Sequence, residues 1–124
     1  MNILHITSRK AWKEAISAGQ YIAPSLESDG LIHCSTYSQA LPVAEKYYKG
    51  QAGLVLLVID PRRLASDLKW EPPAEGAPPP GVCAGESFPH IYGPVNLDAV
   101  VQALDFEPGP NDHFILPPRL LPEH

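Results

Sequence analysis

Proline is distributed very unevenly along this chain, and that distribution limits where helices and strands can form. Twelve of the 15 prolines lie between Pro72 and Pro122. Proline has no backbone N–H and a fixed φ, so a cluster of prolines disfavours both helix and regular strand pairing. We therefore predict a loop over Pro72–Ser87 (PPAEGAPPPGVCAGES) and a proline-rich C-terminal tail over residues 107–124, with one apolar patch at Phe114–Leu116.

Chain length, cysteine content and charge narrow the class of protein. A chain of 124 residues can form one domain with a single core, which we predict over residues 1–106. It has no uninterrupted apolar run of about 18 residues, no secretory signal pattern and only two cysteines, so we expect a reduced, cytoplasmic protein without a membrane partner. Residues 71–124 hold one basic and eight acidic residues, and the net charge is −5, so we expect no nucleic-acid partner.

Two main helices are predicted in the first half of the chain. Ser8 is a good N-cap and Gly19 a natural end for the first helix. Thr36 and Gln39 have the spacing of a capping box, but Pro42 conflicts with a helix that starts there. We therefore predict a turn over residues 37–41 and a helix from Pro42 to Lys49.

The remaining apolar segments are predicted to be extended. LVLLVI, at Leu54–Ile59, is the most apolar run and is expected to be a central strand buried on both faces. Together with the two helices, these segments predict a single α+β domain around a mixed or antiparallel sheet. The other predicted extended segments are Asn2–Thr7, Tyr21–Leu26, Leu31–Ser35, Leu68–Glu71, Phe88–Tyr92 and Val100–Phe106.

Three of the five histidines share a local pattern in which a hydroxyl-bearing residue follows two positions later. Residues two apart in a strand share a face, so each pattern would place an imidazole and a hydroxyl on the same side. If the strands are neighbours, these side chains line one polar cleft. The pairs are His5 and Thr7, His33 and Ser35, and His90 and Tyr92.

Such a polar face is compatible with more than one chemistry. Three histidines could bind a metal ion with an open fourth position, as in a metal-dependent hydrolase. Cys34 would point to the opposite face from His33 and pack as a small apolar group. A nucleotide is the third option, because imidazoles and hydroxyls bond ribose and amide groups and aromatic rings stack on flat rings. Arg9, directly after the first strand, could then meet a pyrophosphate.

A resemblance to a known bacterial family is carried by five segments of the sequence: LHITSRKAWKEAISAGQY, PSLESDGLIHCSTYSQ, LVLLVIDPRRL, LKWE and FPHIYGPVNLDAVV. By these motifs the chain is identified as a member of the family called domain of unknown function 952, over most of residues 3–101. That family is similar in fold to the ADP-ribosyltransferase superfamily, which includes the RNA 2′-phosphotransferases. The resemblance implies an ADP-ribosyltransferase-like fold with a split sheet.

The same resemblance implies positions for a bound NAD. His5 would bond a ribose of NAD, and His33 with Ser35 would hold the nicotinamide end. The superfamily commonly places a glutamate at a third position, for which Glu71 and His90 are both candidates.

We therefore predict binding of NAD or a related nucleotide, without a metal cofactor, and with transfer of ADP-ribose or hydrolysis of NAD as the reaction. A non-enzymatic nucleotide-binding module is the alternative, and a three-histidine metal-dependent hydrolase is the third interpretation. The candidate catalytic residues are His5, His33, Glu71 and His90, and the candidate nucleotide-binding residues are His5, Thr7, Arg9, His33, Ser35 and Tyr92.

Overall fold

Short helices and strands alternate along the chain in a computed structural model that describes residues 1–73 and 76–123. In these residues the helices are α1 (Arg9–Ala18), α2 (Pro24–Asp29) and α3 (Tyr37–Tyr47). The strands are β1 (Ile3–Ser8), β2 (Gln20–Tyr21), β3 (Ile32–His33), β4 (Leu54–Ile59), β5 (Asp67–Glu71), β6 (Phe88–Tyr92), β7 (Val95–Asn96) and β8 (Val100–Asp105). The predicted α+β class is confirmed, with antiparallel pairing in every described strand pair rather than a mixed sheet.

The main sheet has the strand order β1-β4-β8, and β4 is its central strand. All six residues of β4 are buried, as LVLLVI predicts. Alternate side chains of β4 enter two different apolar clusters, because successive residues of a strand point to opposite faces. Val55, Leu57 and Ile59 pack on the side of α1, whereas Leu54, Leu56 and Val58 pack on the side of α3.

A second sheet, ordered β3-β6-β5, joins the first at one point. Leu4 of β1 and Ser35, just after β3, exchange two backbone hydrogen bonds of 2.8 Å each. Beyond this bridge β1 and β3 form no further described ladder pair, so the two sheets diverge. The result is a split antiparallel sheet, and the third, two-stranded sheet pairs β2 with β7.

Helix α1 forms as predicted, whereas the regions around the other two helices differ from the sequence prediction. Ser8 caps α1 by accepting a hydrogen bond from the Ala11 N–H, and Gly19 ends the helix with φ 87°. The extended conformation predicted for Tyr21–Leu26 holds at Ala23, with φ −73° and ψ 150°, but is wrong from Pro24 onward. Pro24 occupies the first turn of α2, where a backbone N–H is not needed. The described residues therefore contain three α-helices, where the sequence predicts two main helices, together with 3₁₀ turns at Pro61–Arg63 and Leu97–Ala99.

The predicted turn at residues 37–41 is also wrong, because α3 starts at Tyr37 and contains Pro42. The Thr36 hydroxyl accepts from the Gln39 N–H, and the Gln39 side chain accepts from the Thr36 N–H, which completes the capping box. Ala40 and Ala44 are fully buried on the same helix. Capping and burial together offset the hydrogen bond that Pro42 removes, which is typically a cost of about 3 kcal/mol.

The predicted loop over Pro72–Ser87 contains no helix or strand in its described residues, and Ala74 and Glu75 lie outside them. The loop is held against α3 by Gln39, whose amide donates to Glu86 Oε1 at 3.0 Å and to the Ser87 carbonyl at 2.9 Å. Within the described residues, no helix has both the length and the apolarity needed to cross a membrane.

The C-terminal tail packs against the core through its apolar patch. Phe114 is buried and stacks on Phe106, with ring centroids 4.9 Å apart. The Gln102 side chain of β8 bonds the tail backbone twice, at the Arg119 carbonyl and the Leu121 N–H. The tail therefore belongs to the same packed structure as the sheets.

Phe114 and its neighbour Ile115 test this packing. Phe114→Ala is expected to lower the free energy of unfolding by about 3–5 kcal/mol, the usual range for a buried phenylalanine. Ile115→Ala, at a side chain that is 59% exposed, is expected to change it by no more than about 0.5 kcal/mol. Urea denaturation of both variants measures the difference, and equal midpoints would contradict a tail packed into the core.

Candidate functional site

A cleft of about 320 Å³ opens where the two sheets diverge. Its polar side chains come from β3, β6 and Ser35, two residues after β3, and its aromatic side chains come from α3, from Tyr48 at the end of α3 and from β6. We call this space the histidine cleft. Its described lining residues are Ile6, His33, Cys34, Ser35, Val43, Tyr47, Tyr48, Pro73, Pro79, Phe88 and His90.

His33 and His90 face each other on one wall of the histidine cleft. They are directly paired across β3 and β6, so their side chains share a face of the sheet. Their ring centroids lie 5.6 Å apart in an edge-to-face arrangement. His33 is the more exposed of the two and its Nε2 lies 3.2 Å from Asp29 Oδ2, whereas the His90 side chain is only 4% exposed.

His90 is held by a carboxylate on the neighbouring strand. Glu71 Oε1 accepts a 2.8 Å hydrogen bond from His90 Nδ1 and another from the Tyr92 hydroxyl. These two bonds, that of Tyr92 first, lower the pKa of Glu71, and the same carboxylate raises the pKa of Tyr92. Glu71 is therefore ionised at neutral pH.

This network has a consequence for the tautomer of His90. A carboxylate only accepts, so Nδ1 carries the hydrogen and Nε2 of the neutral ring is an acceptor. Among the described residues, the hydrogen bond from Nδ1 to Glu71 is the only side-chain hydrogen bond of His90. The two sequence candidates for the third position, Glu71 and His90, are thus in direct contact, with His90 lining the cleft and Glu71 behind it.

His5 does not join the other two histidines, so the expected convergence of three imidazoles on one cleft is wrong. His5, Ile3 and Thr7 project from β1 toward the α1 side, where the apolar cluster includes Tyr21. The His5 ring bonds the His33 carbonyl through Nδ1 at 2.6 Å and the Tyr21 hydroxyl through Nε2 at 2.7 Å. The Tyr21 oxygen lies 2.9 Å from Thr7 Oγ1.

The position of His5 follows from the divergence of β1 and β3. Backbone pairing stops at Leu4 and Ser35, so the His33 carbonyl on the β1 side has no strand partner there. The His5 imidazole supplies the missing donor. Burial lowers the pKa of His5 from its ordinary 6.5 to about 4, so the ring is neutral at pH 7 and its Nε2 accepts from Tyr21.

Other predicted site residues also lie outside the cleft. Thr7 belongs to the buried chain of hydroxyls beside His5 and Tyr21, and Tyr92 contacts Glu71 rather than the cleft. Arg9 pairs with Asp105 at 3.1 Å and Glu107 at 3.3 Å, near the start of α1. The expected contact of Arg9 with a pyrophosphate in this cleft therefore does not fit the structure.

Cys34 lies in the wall of the cleft but within the apolar cluster, as a small buried group. Burial raises the pKa of its thiol well above the usual range, so the thiol is protonated at neutral pH. The described residues contain no group of three or more potential metal ligands, and both ring nitrogens of His5 are engaged. The three-histidine metal site is therefore not assembled.

The aromatic side of the cleft was not anticipated from the sequence. Val43 and Tyr47 lie one helical turn apart on α3, and Tyr48 follows directly, so all three reach the same space. The predicted helix from Pro42 to Lys49 already contains Val43, Tyr47 and Tyr48, so the misplaced helix start does not explain why they were missed. The available signal was the four-residue spacing of Val43 and Tyr47, which places both on one face of that helix.

The titration of His5 predicts a specific loss of stability in mild acid. Above pH 6.5 the His5 ring is neutral in both the folded and the unfolded chain, so its full contribution to the free energy of unfolding is present. As the pH falls from 6.5 to about 4, the unfolded chain binds a proton that the folded chain does not, so stability decreases. The expected loss is about 3 kcal/mol.

Denaturant unfolding at pH 7, 6, 5 and 4.5 measures this loss. His5→Gln removes the titrating group and is expected to show a flatter pH dependence, whatever its absolute stability. His113→Gln removes an exposed histidine that pairs with Glu45 and is expected to retain the wild-type slope. A His5→Gln profile parallel to that of the wild type would show that His5 is not buried as a neutral ring.

The comparisons with known proteins agree with the family resemblance seen in the sequence. No curated protein matches the chain. The crystal structure of protein CC0527 from Caulobacter crescentus has a TM-score of 0.79 and 32% identity, over 94% of this chain and 95% of that one. The solution NMR structure of CC0527 has a TM-score of 0.72 and 34% identity, over 90% of both chains. The model of the family described as "Protein of unknown function (DUF952)" matches residues 6–103, and the chain belongs to this family.

Proposed function

We propose that the histidine cleft binds a nucleotide, with NAD or a related molecule as the ligand. The observation that supports this proposal is the facing pair His33 and His90, which stand beside Ser35 on the polar wall of an otherwise apolar cleft. Ligand sites commonly combine apolar walls with a few convergent polar groups. Three groups with hydrogen-bonding capacity on one wall match the hydroxyls of a ribose or the amide of a nicotinamide.

The size of the cleft favours part of a dinucleotide rather than the whole molecule. Its volume of about 320 Å³ is near the lower end of the range for small-molecule sites, which is roughly 300–1,000 Å³. One ring and its ribose fit this space, with the ring against the aromatic side chains of Tyr48 and Phe88. The rest of the molecule extends from the open end.

The charge distribution supports the same orientation. The described lining residues include no lysine or arginine. Lysines lie nearby: Lys46 Nζ is 5.2 Å from the centroid of the Tyr47 ring, and Lys69 Nζ is 4.8 Å from that of Tyr92. We therefore propose that the phosphates lie outside the cleft, toward these exposed cations, with the uncharged ring and sugar inside.

If the protein is an enzyme, the reaction we propose is cleavage of the nicotinamide–ribose bond, in line with the resemblance to the ADP-ribosyltransferases. We call this the catalytic form of the proposal. Cleavage of that bond develops positive charge on the ribose. The ionised Glu71 lies behind His90, and its negative charge favours a cation in the cleft. Transfer of ADP-ribose and hydrolysis of NAD both follow from this step. In this proposal His5 supports the His33 carbonyl from the core instead of touching the ligand.

Cys34 and Cys83 are both free thiols, which suits the reduced cytoplasm that we propose as the location.

Calorimetric titration with NAD tests the binding proposal. Wild-type protein is expected to release or absorb heat with a single site per chain. His33→Ala and Ser35→Ala are each expected to weaken binding about 10-fold, the effect of losing one hydrogen bond of about 1.4 kcal/mol. His113→Ala, at an exposed histidine beside Glu45, is the matched control and is expected to bind like the wild type.

Two outcomes would contradict the proposal: absent heat with wild-type protein, or equal affinities of wild type and His33→Ala. Incubation with NAD followed by quantification of free nicotinamide then separates the catalytic form from a binding module. A binding module gives heat without nicotinamide release.

A further inference from the structure

We infer that Ser35 is a nucleophile for carboxylic esters, with His90 as its general base and Glu71 as the carboxylate that positions His90. This activity goes beyond nucleotide binding and uses Glu71 of β5, His90 of β6 and Ser35, two residues after β3, with Tyr48 beside them. Ser35, His90 and Glu71 belong to three neighbouring segments of one sheet, with His90 on the strand between the other two.

The register of the sheet places the three side chains on one face. Glu71 pairs with Phe88, and His33 pairs with His90. The Cys34 N–H donates to the Pro89 carbonyl at 3.0 Å, so the β3 ladder continues toward Phe88 and brings Ser35 alongside that residue. Glu71 and Ser35 thus lie on opposite sides of β6, and each is the diagonal cross-strand neighbour of His90. Long side chains of diagonal neighbours can contact each other.

The hydrogen bonds give His90 the orientation that a general base needs. Glu71 accepts from Nδ1 at 2.8 Å, which leaves Nε2 as the acceptor. Ser35 and His90 both line the histidine cleft. Among the described residues the only side-chain hydrogen bond of His90 is the one from Nδ1 to Glu71, and the Ser35 hydroxyl and His90 Nε2 do not bond each other. A serine, a histidine and a carboxylate in this order are the groups that activate a serine hydroxyl on several unrelated folds. In the proposed reaction the bond from the Ser35 hydroxyl to His90 Nε2 forms when the ester binds, because catalytic hydrogen bonds often tighten only in the substrate complex.

The proposed reaction has two steps. Ser35 Oγ attacks the ester carbonyl while its proton moves to His90 Nε2, and the C–O bond to the alcohol breaks as His90 returns the proton to the leaving oxygen. Water then attacks the acyl-serine, with His90 again accepting a proton and returning it to Ser35. The net change is ester plus water to carboxylic acid plus alcohol, with no redox step.

The walls of the cleft indicate the substrate class. Ile6, Val43 and Phe88 are apolar lining residues, and the described lining has no cation to bind a charged acyl group. The site therefore suits an ester with a short, uncharged acyl chain. Tyr48 also lines the cleft, and its hydroxyl makes a long bond of 3.5 Å to the Ile6 carbonyl, so it is the donor we assign to the oxyanion.

A fluorophosphonate probe tests the nucleophile directly on the full-length protein. Intact-mass spectrometry is expected to show one adduct per chain, mapped to Ser35 by peptide analysis. Ser35→Ala is expected to remain unlabelled, and His90→Gln to label at least about 100-fold more slowly. Ser28→Ala, at an exposed serine of α2, is the control and is expected to label like the wild type.

Hydrolysis of p-nitrophenyl acetate, measured against Ser35→Ala as background, tests the reaction. Glu71→Gln is expected to lower the rate about 10-fold or more and to move the acid limb of the pH–rate profile to lower pH, because an amide does not stabilise the imidazolium. Tyr48→Phe is expected to lower the rate about 100-fold. An adduct elsewhere than Ser35, or no adduct and no hydrolysis above background, would overturn the inference. Neither result bears on the heat of NAD binding.

Discussion

The two backbone hydrogen bonds between Leu4 and Ser35 are the point at which the two sheets of this fold join and then diverge. They join the sheet built on β4 to the sheet built on β6, and pairing ends on one side of them. A carbonyl at a diverging strand end would be costly if it were buried without a partner. His5 removes that cost by donating to the His33 carbonyl, and its own burial then depends on remaining neutral.

The histidine cleft is a consequence of this divergence. Once β1 and β3 separate, the face of β3 and β6 that carries His33 and His90 is exposed to the space between the sheets, and α3 closes that space with Tyr47 and Tyr48. Glu71 then reaches His90 from β5 and fixes its tautomer. In the nucleotide proposal the ligand contacts the polar wall of His33, Ser35 and His90 and the aromatic side chains of the cleft. In the ester proposal the reacting groups are Ser35 and His90, with Glu71 positioning His90.

Much of the secondary structure could be predicted from local signals, and the errors have specific causes. The capping residues of α1 and the apolar run of β4 are strong local features, and both predictions were confirmed. At Pro42, the capping box and the burial of Ala40 and Ala44 outweigh the local cost of proline, so α3 starts at Tyr37 instead of at the predicted Pro42. The aromatic side of the cleft depends on how α3 packs over the diverging sheets, which is a long-range contact.

The sequence by itself determined the family, the α+β class and the pairing of imidazole and hydroxyl on shared strand faces, because these depend on residue types and on the two-residue period of a strand. Only the tertiary structure decided which of those faces meet. His33 and His90 are on adjacent strands and share a cleft. His5 faces the core instead, because α1 packs against the face of β1 that carries it. Strand order and divergence are set by long-range pairing, which no local pattern encodes.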